Sequence, residues 1–451
     1  MYQAGPETRT DGAVAVNASI EPSAKRSLAW SAALVLVALG VVVRIWFVAA
    51  PKPNQLTFHS GGSDAPAYNL LAQNLLDHRG FSYAGEPSAL RAPGYPLLIA
   101  AIMSQSRTHY IVYIRWLQFL LGLATVGVCA AAARRLFDKR AAIAVCILGL
   151  FMPTLIFTTA QLLTECLAAF FTAAFLFYLI MQMEKADLRS AAGLGITAGI
   201  ESLIRFNAAA LPLFAGCAVL QTRRRRSAIL RAGIVLLVPL LIVVPWLVRN
   251  ELAFHGRVLF STQSGPNAVQ GVITPEGRTQ PGDSARLRAA MGWVLSEIET
   301  NDPSRRSFPS EADLNINALR VAPGLWRGMG WHAIPLLVKK LAVFWLSADQ
   351  LEDTSGFRFT DRVLRSGGVV YYWIVLGLAI GGWLALRKSH SAIALTFAIY
   401  AGGITLLHLP LVMSTRIRIP LIEPLVLILA GGVLAKRHRV KTVTSGEWLR
   451  S

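Results

Sequence analysis

Long apolar runs alternate with short polar turns along most of this 451-residue chain. They fall near 28–49, 111–133, 141–158, 162–182, 190–204, 207–221, 229–248, 369–386, 391–412 and 419–435. Most have the roughly 17–25 residues that a bilayer-crossing helix needs. The runs 190–204 and 207–221 are shorter, as tilted or re-entrant helices would be. Two other stretches follow a different pattern. Between Gly61 and Pro96, the positions Tyr68, Leu71, Ala72, Leu75 and Leu76 recur at i, i+3, i+4, i+7 and i+8, giving a short helix one apolar face. Ser63 or Asp64 can cap that helix, and Pro66 fits its first turn. So short and one-sided a helix lies along a membrane surface instead of crossing it. From Ile334 to Trp345 the chain is apolar but interrupted by Lys339 and Lys340. This pattern predicts an interfacial helix with snorkelling lysines and an aromatic anchor.

Composition fixes the class. The chain is 54% hydrophobic and 15% charged, which excludes a single soluble domain and predicts an all-α polytopic membrane protein. The net charge of +19 would suit a nucleic-acid binder if its cations were clustered on one domain. Instead they sit in short runs between apolar segments: Arg134, Arg135, Lys139 and Arg140; Lys185 and Arg189; Arg223 to Arg226; Arg387 and Lys388; and Lys436-Arg437-His438-Arg439. Placing these turns in the cytoplasm gives about ten spans, both termini cytoplasmic, and the Asp64 segment outside. No nucleic-acid partner is expected.

The expected organisation is a disordered cytoplasmic tail over 1–24 and a transmembrane module over 25–248 that includes an external loop, 50–110. A small external cap over 249–333 follows, with a helical pattern near Ser284–Glu299. The interfacial helix and last spans occupy 334–435, and a basic cytoplasmic tail 436–451. Val48-Ala49-Ala50 faintly resembles a signal cleavage site, but the long polar leader and long apolar run favour a retained anchor. The four cysteines lie inside apolar runs, and the histidines show no HxxH or HExxH spacing, so neither a disulfide nor a zinc-protease site is expected.

Unusual polar residues concentrate on the external side. Asp64 reads as a helix N-cap, as a general base beside a dry surface, or as both. Glu165, in Leu163-Thr164-Glu165-Cys166, sits at the outer end of a span, where a carboxylate beside hydrocarbon calls for a wet cavity. It would cap its helix, position an acceptor, or share a cation with Asp64. Arg91 precedes Ala92-Pro93-Gly94-Tyr95-Pro96, a turn stiffened by two prolines; a preorganised guanidinium there suits either a phosphate or a lipid headgroup. Arg416 and Arg418 lie in an external turn, against the usual charge bias, and suggest an anionic ligand, with Glu423 holding one of them. Glu201 and Arg205, four apart, read as a pair along one helix. Arg44 reads as snorkelling out of the first span. No Walker A or strand-bound GxGxxG pattern appears, which fits a lipid-borne donor.

These residues, in this order, resemble the GT-C family of polyprenyl-phosphate-sugar-dependent glycosyltransferases. The similarity is greatest to the bacterial branch of lipid A aminoarabinose transferases and protein O-mannosyltransferase relatives. It runs through Asp64 with Tyr68, Arg91-Ala92-Pro93-Gly94-Tyr95-Pro96, Thr164-Glu165, Arg205, Pro245-Trp246 with Arg249-Asn250, Lys340 with Phe344-Trp345, and Arg416-Ile417-Arg418-Ile419-Pro420, over about residues 28–435.

The resemblance implies a GT-C-like helix bundle and an inverting transfer of sugar from a polyprenyl-phosphate donor to a glycan, lipid or protein acceptor. This would take place on the external face of the plasma (inner) membrane. Asp64 would be the essential acid with Glu165 beside it. Arg91 would contact the lipid phosphate, with Arg416 and Arg418 assisting and Tyr68, Tyr95 and Arg205 completing the substrate site. Leu90 stands where aminoarabinose transferases carry a glutamate, and Ala65-Pro66 where many relatives carry a second acid. Both departures weigh against aminoarabinose and against a shared metal, so a divalent cation near Asp64 is left open. A different class, a transporter or flippase of a lipid-linked anion, would call for repeated halves and broken helices near the bilayer centre, which the sequence does not display.

Overall fold

In the computed structural model, which describes residues 12–49, 64–220, 225–273, 310–347 and 360–435 with isolated positions between 289 and 296, the apolar runs are helices packed side by side. The first, α1 (Gly12–Ala49), starts inside the stretch expected to be disordered. A surface layer follows: α2 (Ala65–Leu76), a two-stranded ribbon of β1 (Ser82–Tyr83) and β2 (Glu86–Pro87), and α3 (Gly94–Met103). Ala84 and Gly85 both take positive φ in the ribbon's turn, as the right-handed twist of a two-residue hairpin requires. The bundle is built from α4 (Tyr110–Leu136), α5 (Lys139–Leu150), α6 (Pro153–Ala160), α7 (Glu165–Lys185), α8 (Leu188–Ile204), α9 (Leu211–Leu220) and α10 (Arg225–Phe254). Two cap helices, α11 (Ser264–Ile273) and α12 (Glu311–Met329), lead through a turn at Gly330–His332 to α13 (Ala333–Leu346). The chain closes with α14 (Thr360–Ser389), α15 (Ser391–His408), α16 (Thr415–Leu421) and α17 (Glu423–Ala430).

Among the described residues seven helices are long and apolar enough to cross a membrane, and nine spans result if each of two bent pairs counts as one. The expected ten included 190–204 and 207–221, whose helices α8 and α9 fall below that length. The seven include Glu311–Leu346, expected on the outside. The expected helix near Ser284–Glu299 lies largely outside the described residues, as does the tail 436–451.

Both bends have sequence causes. Pro153 lacks an N–H and forces Met152 to an extended ψ of 111°, so the 141–158 run splits into α5 and α6 at 51°. The exposed end of α5 is capped from other helices: Tyr371 donates to Leu148 O at 2.7 Å, and Arg44 to Gly149 O at 2.7 Å and Leu150 O at 3.0 Å. Arg44 is fully buried, so it caps a broken helix and does not snorkel. Pro420 and Pro424 flank the second bend, 54° between α16 and α17.

The core lies where α4, α7, α8, α10 and α17 meet, and every residue of α17 is buried. Helices α8 and α10 approach closely through small residues: a Cβ at Gly195 would come within 2.8 Å of Val238, and one at Gly199 within 2.8 Å of Ile242. The polar residues gather at two ends of the bundle. One end carries Arg134, Arg135 and the 2.5 Å Arg135–Glu184 ion pair. The other carries Asp64, Glu165 and Arg205. The cap covers this second end: α11 and α12 pack through Ala268, Val269, Ala318 and Ala322, and Ser310 and Asp313 close a capping box on α12. Lys340 is fully buried, donates to Leu409 O at 2.8 Å and lies over the Trp326 ring. It therefore turns inward, where the sequence suggested snorkelling.

Candidate active site

Asp64 occupies the N-cap position of α2, yet its side chain caps nothing. Its two oxygens face outward from the helix to two arginines: Oδ1 lies 2.6 Å from Arg91 and Oδ2 2.8 Å from Arg416. The apolar face of α2 holds this end of the helix in place. Tyr68, Leu71 and Ala72 are buried, and Tyr68 sets its ring edge against Tyr95, with centroids 5.3 Å apart. The Arg91 guanidinium lies over the Tyr68 ring at 5.8 Å, so Tyr68 serves as an aromatic floor under the cation.

The loop that carries Arg91 passes tightly over the end of α8. A Cβ at Gly94 would come within 2.8 Å of Leu203 O, so glycine is what admits the contact. Just beyond, Arg205 leaves the helix, donates to Thr164 Oγ1 at 2.8 Å and approaches Glu165 Oε1 at 3.6 Å. Glu165 is the first residue of α7 and fully buried; its Oε1 accepts from Arg416 Nε at 2.7 Å. The turn before α7 is held by Gln118, whose Nε2 donates to Thr159 O at 3.0 Å and Gln161 O at 2.8 Å, while its Oε1 accepts from Tyr95 Oη at 2.7 Å.

The result is a row of alternating charge, Arg91–Asp64–Arg416–Glu165–Arg205, drawn from five separate parts of the chain. Its members Arg91, Asp64, Arg416 and Arg205 keep 21%, 22%, 28% and 14% of their side-chain surface exposed, while Glu165 keeps none. The row therefore has a wet face and a dry back. Three guanidinium groups against two carboxylates leave one unbalanced positive charge. Burial pushes the Asp64 carboxyl up, but Arg416 and Arg91 beside it outweigh that and hold it below the usual carboxylate range.

Of the eight residues expected from sequence, the row joins Asp64, Glu165, Arg91, Arg205 and Arg416, with Tyr68 beneath it. Tyr95 is fully buried and its hydroxyl donates to Gln118, so it supports the turn before Glu165 and lies outside the row. Arg418 is also fully buried and turned away: it pairs with Glu423 at 3.1 Å, donates to Phe344 O at 2.8 Å and Ser347 O at 2.6 Å, and stacks on Tyr372 at 3.9 Å. It ties α16 to the end of α13. Glu201 accepts from Thr172 at 2.5 Å, and the partner of Arg205 is Glu165, not Glu201.

Both Asp64 oxygens and Glu165 Oε1 are engaged by guanidinium groups, and a cation between the acids would have to displace Arg416. Among the described residues, no three His, Cys, Asp or Glu side chains converge as a ligand set.

Sequence reasoning missed Glu311, which reaches the Arg91 loop from α12. Only the Ser310–Asp313 capping-box spacing marked that helix start, and nothing in it pointed to partners more than 200 positions away.

The profile of a family described as dolichyl-phosphate-mannose-protein mannosyltransferase matches residues 90–248. No curated protein matches by sequence. By structure, the chain is similar to the archaeal oligosaccharyltransferase AglB from Archaeoglobus fulgidus solved with an inhibitory peptide and a dolichol-phosphate, at 15% identity and a TM-score of 0.52, covering 89% of this chain and 50% of that one. The apo form of the Archaeoglobus fulgidus enzyme gives 14% identity, a TM-score of 0.52 and the same coverage. ArnT from Cupriavidus metallidurans, solved with undecaprenyl phosphate, matches at 19% identity and a TM-score of 0.39, over 89% of this chain and 77% of that one. The chain thus spans half the length of the oligosaccharyltransferases whose fold it shares.

Proposed function

We propose that this chain, which shares its fold with oligosaccharyltransferases and matches a mannosyltransferase profile over residues 90–248, is an inverting GT-C glycosyltransferase that moves a sugar from a polyprenyl-phosphate donor to an acceptor hydroxyl. The observation that carries this reading is the Arg91–Asp64–Arg416–Glu165–Arg205 row. A sugar linked through one phosphate to a polyprenol is a phosphodiester with a single negative charge, and the row has a single unbalanced positive one.

In the proposed reaction Asp64 accepts the proton of the acceptor hydroxyl as its oxygen attacks the anomeric carbon. The bond from that carbon to the phosphate oxygen breaks, and the phosphate departs with the electron pair. Arg91, Arg205 and Arg416 stabilise the charge that grows on it. Donor phosphate also competes with Asp64 for Arg91 and Arg416. Each guanidinium drawn onto phosphate leaves Asp64 a stronger base, so donor binding prepares the carboxylate for its step. Glu165, closed off behind Arg416, keeps that arginine aimed at the wet face. No step passes through a metal.

The basic turns at the opposite end of the bundle support placing the site on the non-cytoplasmic face of the plasma membrane, with both termini inside. The acceptor is a glycan, lipid or protein hydroxyl.

The test is sugar transfer by the full chain in vesicles supplied with polyprenyl-phosphate-linked mannose and other polyprenyl-phosphate sugars. Asp64→Asn should lower transfer by about 10²–10⁴-fold while insertion and yield stay normal. Wild-type transfer by that variant contradicts the assignment. Movement of lipid across the vesicle wall without sugar transfer would instead favour a flippase.

A further inference from the structure

The segment that delivers Arg91 is fastened from two sides by residues that touch no part of the charged row. Arg249, at the end of α10, donates to Phe81 O at 2.6 Å and Ser88 O at 2.8 Å, with its guanidinium over the rings of Phe81, Trp246 and Phe254. From the cap, Glu311 accepts three hydrogen bonds: Ser88 Oγ at 2.8 Å, Ala89 N at 3.1 Å and Thr262 Oγ1 at 2.9 Å. Thr262 N in turn donates to Ala89 O at 3.1 Å. Ser88 and Ala89 are fully buried and Glu311 is half-buried, so these bonds are partly shielded from water, and a charged acceptor makes them stronger than neutral ones.

An acid in the first turn of a helix ordinarily answers only to the helix dipole. Glu311 differs because both its oxygens are committed to two segments remote in sequence, one of them two residues short of Arg91. At the other end of the same segment, Gly94 rests on the end of α8. Between these fixed points the backbone has little freedom, and the place of the Arg91 guanidinium follows from them. Ser310 and Asp313 cap α12 reciprocally, so the helix start that carries Glu311 is itself rigid.

We propose that Glu311 is a positioning residue: it fastens the loop that sets Arg91, so that the cap and the phosphate-holding arginine form one piece. The consequence for the substrate rests on the reading of Arg91 as a donor-phosphate contact. The fastening itself does not. Without Glu311, the Ser88–Arg91 stretch loses its charged acceptor, and Arg91 is spread over positions that no longer face Asp64.

Two measurements on the full chain in detergent or vesicles separate these claims. The first is amide hydrogen exchange over residues 81–91 in Glu311→Ala, where faster exchange at Ala89 and Leu90 is expected and exchange in α4 and α7 should be unchanged. Wild-type exchange over 81–91 overturns the proposal, whatever the substrate. The second is binding of undecaprenyl phosphate. Glu311→Ala should weaken it about tenfold, and adding Glu311→Ala to Arg91→Ala should cost less than about a further twofold; full additivity overturns the proposal. Faster exchange together with unchanged binding in both single variants would sustain the fastening and instead remove Arg91 from the donor site. Should Glu311→Ala fail to fold, Ser88→Ala removes one donor to the same carboxylate and should shift both readouts in the same direction. Unchanged values there overturn the proposal equally.

Discussion

Arg416 and Glu165 stand 251 positions apart in the chain and 2.7 Å apart in space. The same guanidinium reaches Asp64 at 2.8 Å, so one cation holds two acids from α2 and α7 against the start of α16. Glu165 is wholly buried while Arg416 touches water at 28% of its side chain. Removing one member of a buried pair costs about 3–5 kcal/mol, because the other charge is left uncompensated. The partial exposure of Arg416 puts the expectation for Arg416→Met near the lower end. Replacing Glu165 by Gln in the same chain should recover part of that loss. Unfolding midpoints of the two single variants and the double variant check this, and simple additivity contradicts it.

Acid sensitivity follows from the same geometry. The native carboxyl of Asp64 lies below its ordinary value of 3.8, because Arg416 and Arg91 outweigh the effect of burial. A depressed native value means that its contribution to stability is complete above the unfolded value and is lost as pH falls through the native one. The acid limb of kcat/KM assigned to Asp64 should therefore lie below pH 3.8. In Arg416→Met one attractive charge is gone and the burial remains, so the limb should move to higher pH. A pH–rate profile of the two proteins decides it, and coincident limbs count against Asp64 as the titrating base.

Two arginines separated by a single residue should behave oppositely. Arg418, fully buried against Glu423 and Tyr372, is part of the scaffold. Arg418→Met should lower the unfolding midpoint and leave the affinity for undecaprenyl phosphate within about twofold in the protein that folds. Arg205→Met should do the reverse, weakening lipid-phosphate binding by about tenfold, as loss of a charge-assisted contact implies. Titration of lipid phosphate into each purified variant is the measurement. Weaker binding in Arg418→Met alone would return that residue to the site.

Chelation offers a separate check. Since Arg416 fills the position between Asp64 and Glu165, transfer should persist after treatment with EDTA, and added Mn²⁺ or Mg²⁺ should not raise it. A loss of transfer reversed by one divalent cation would mean that Arg416 yields its position in the working enzyme.

Much of this was legible in the chain because it depends on local pattern. The amphipathic repeat from Tyr68 to Leu76 does form α2, and Arg91 before Pro93-Gly94 does deliver a cation beside Asp64. What sequence cannot weigh is competition between equally suited neighbours. Arg416 and Arg418 look alike in a polar turn, yet they fall on different sides of a short helix, and only one side faces Asp64. Glu201 sits at helical spacing from Arg205, but Arg205 leaves the helix at its last turn, so the spacing no longer applies. Lys340 and Arg44 interrupt apolar runs as snorkelling residues do. They turn inward because carbonyl groups freed at helix ends offer each a partner, and those ends are set by prolines and turns elsewhere in the chain.

The kink at Pro153 reaches further than the helix it bends. Its freed carbonyl oxygens at Gly149 and Leu150 accept from Arg44 of α1, a donor supplied from more than a hundred positions upstream. A chain processed after Ala50 would surrender that donor: Leu150 O would lose its partner, and Gly149 O would keep only backbone donors such as Met152 N at 3.3 Å, a costly change in a medium without water. The amino-terminal helix is thus bound into the bundle's hydrogen bonding, and an exchange for an unrelated leader of equal greasiness would not be neutral.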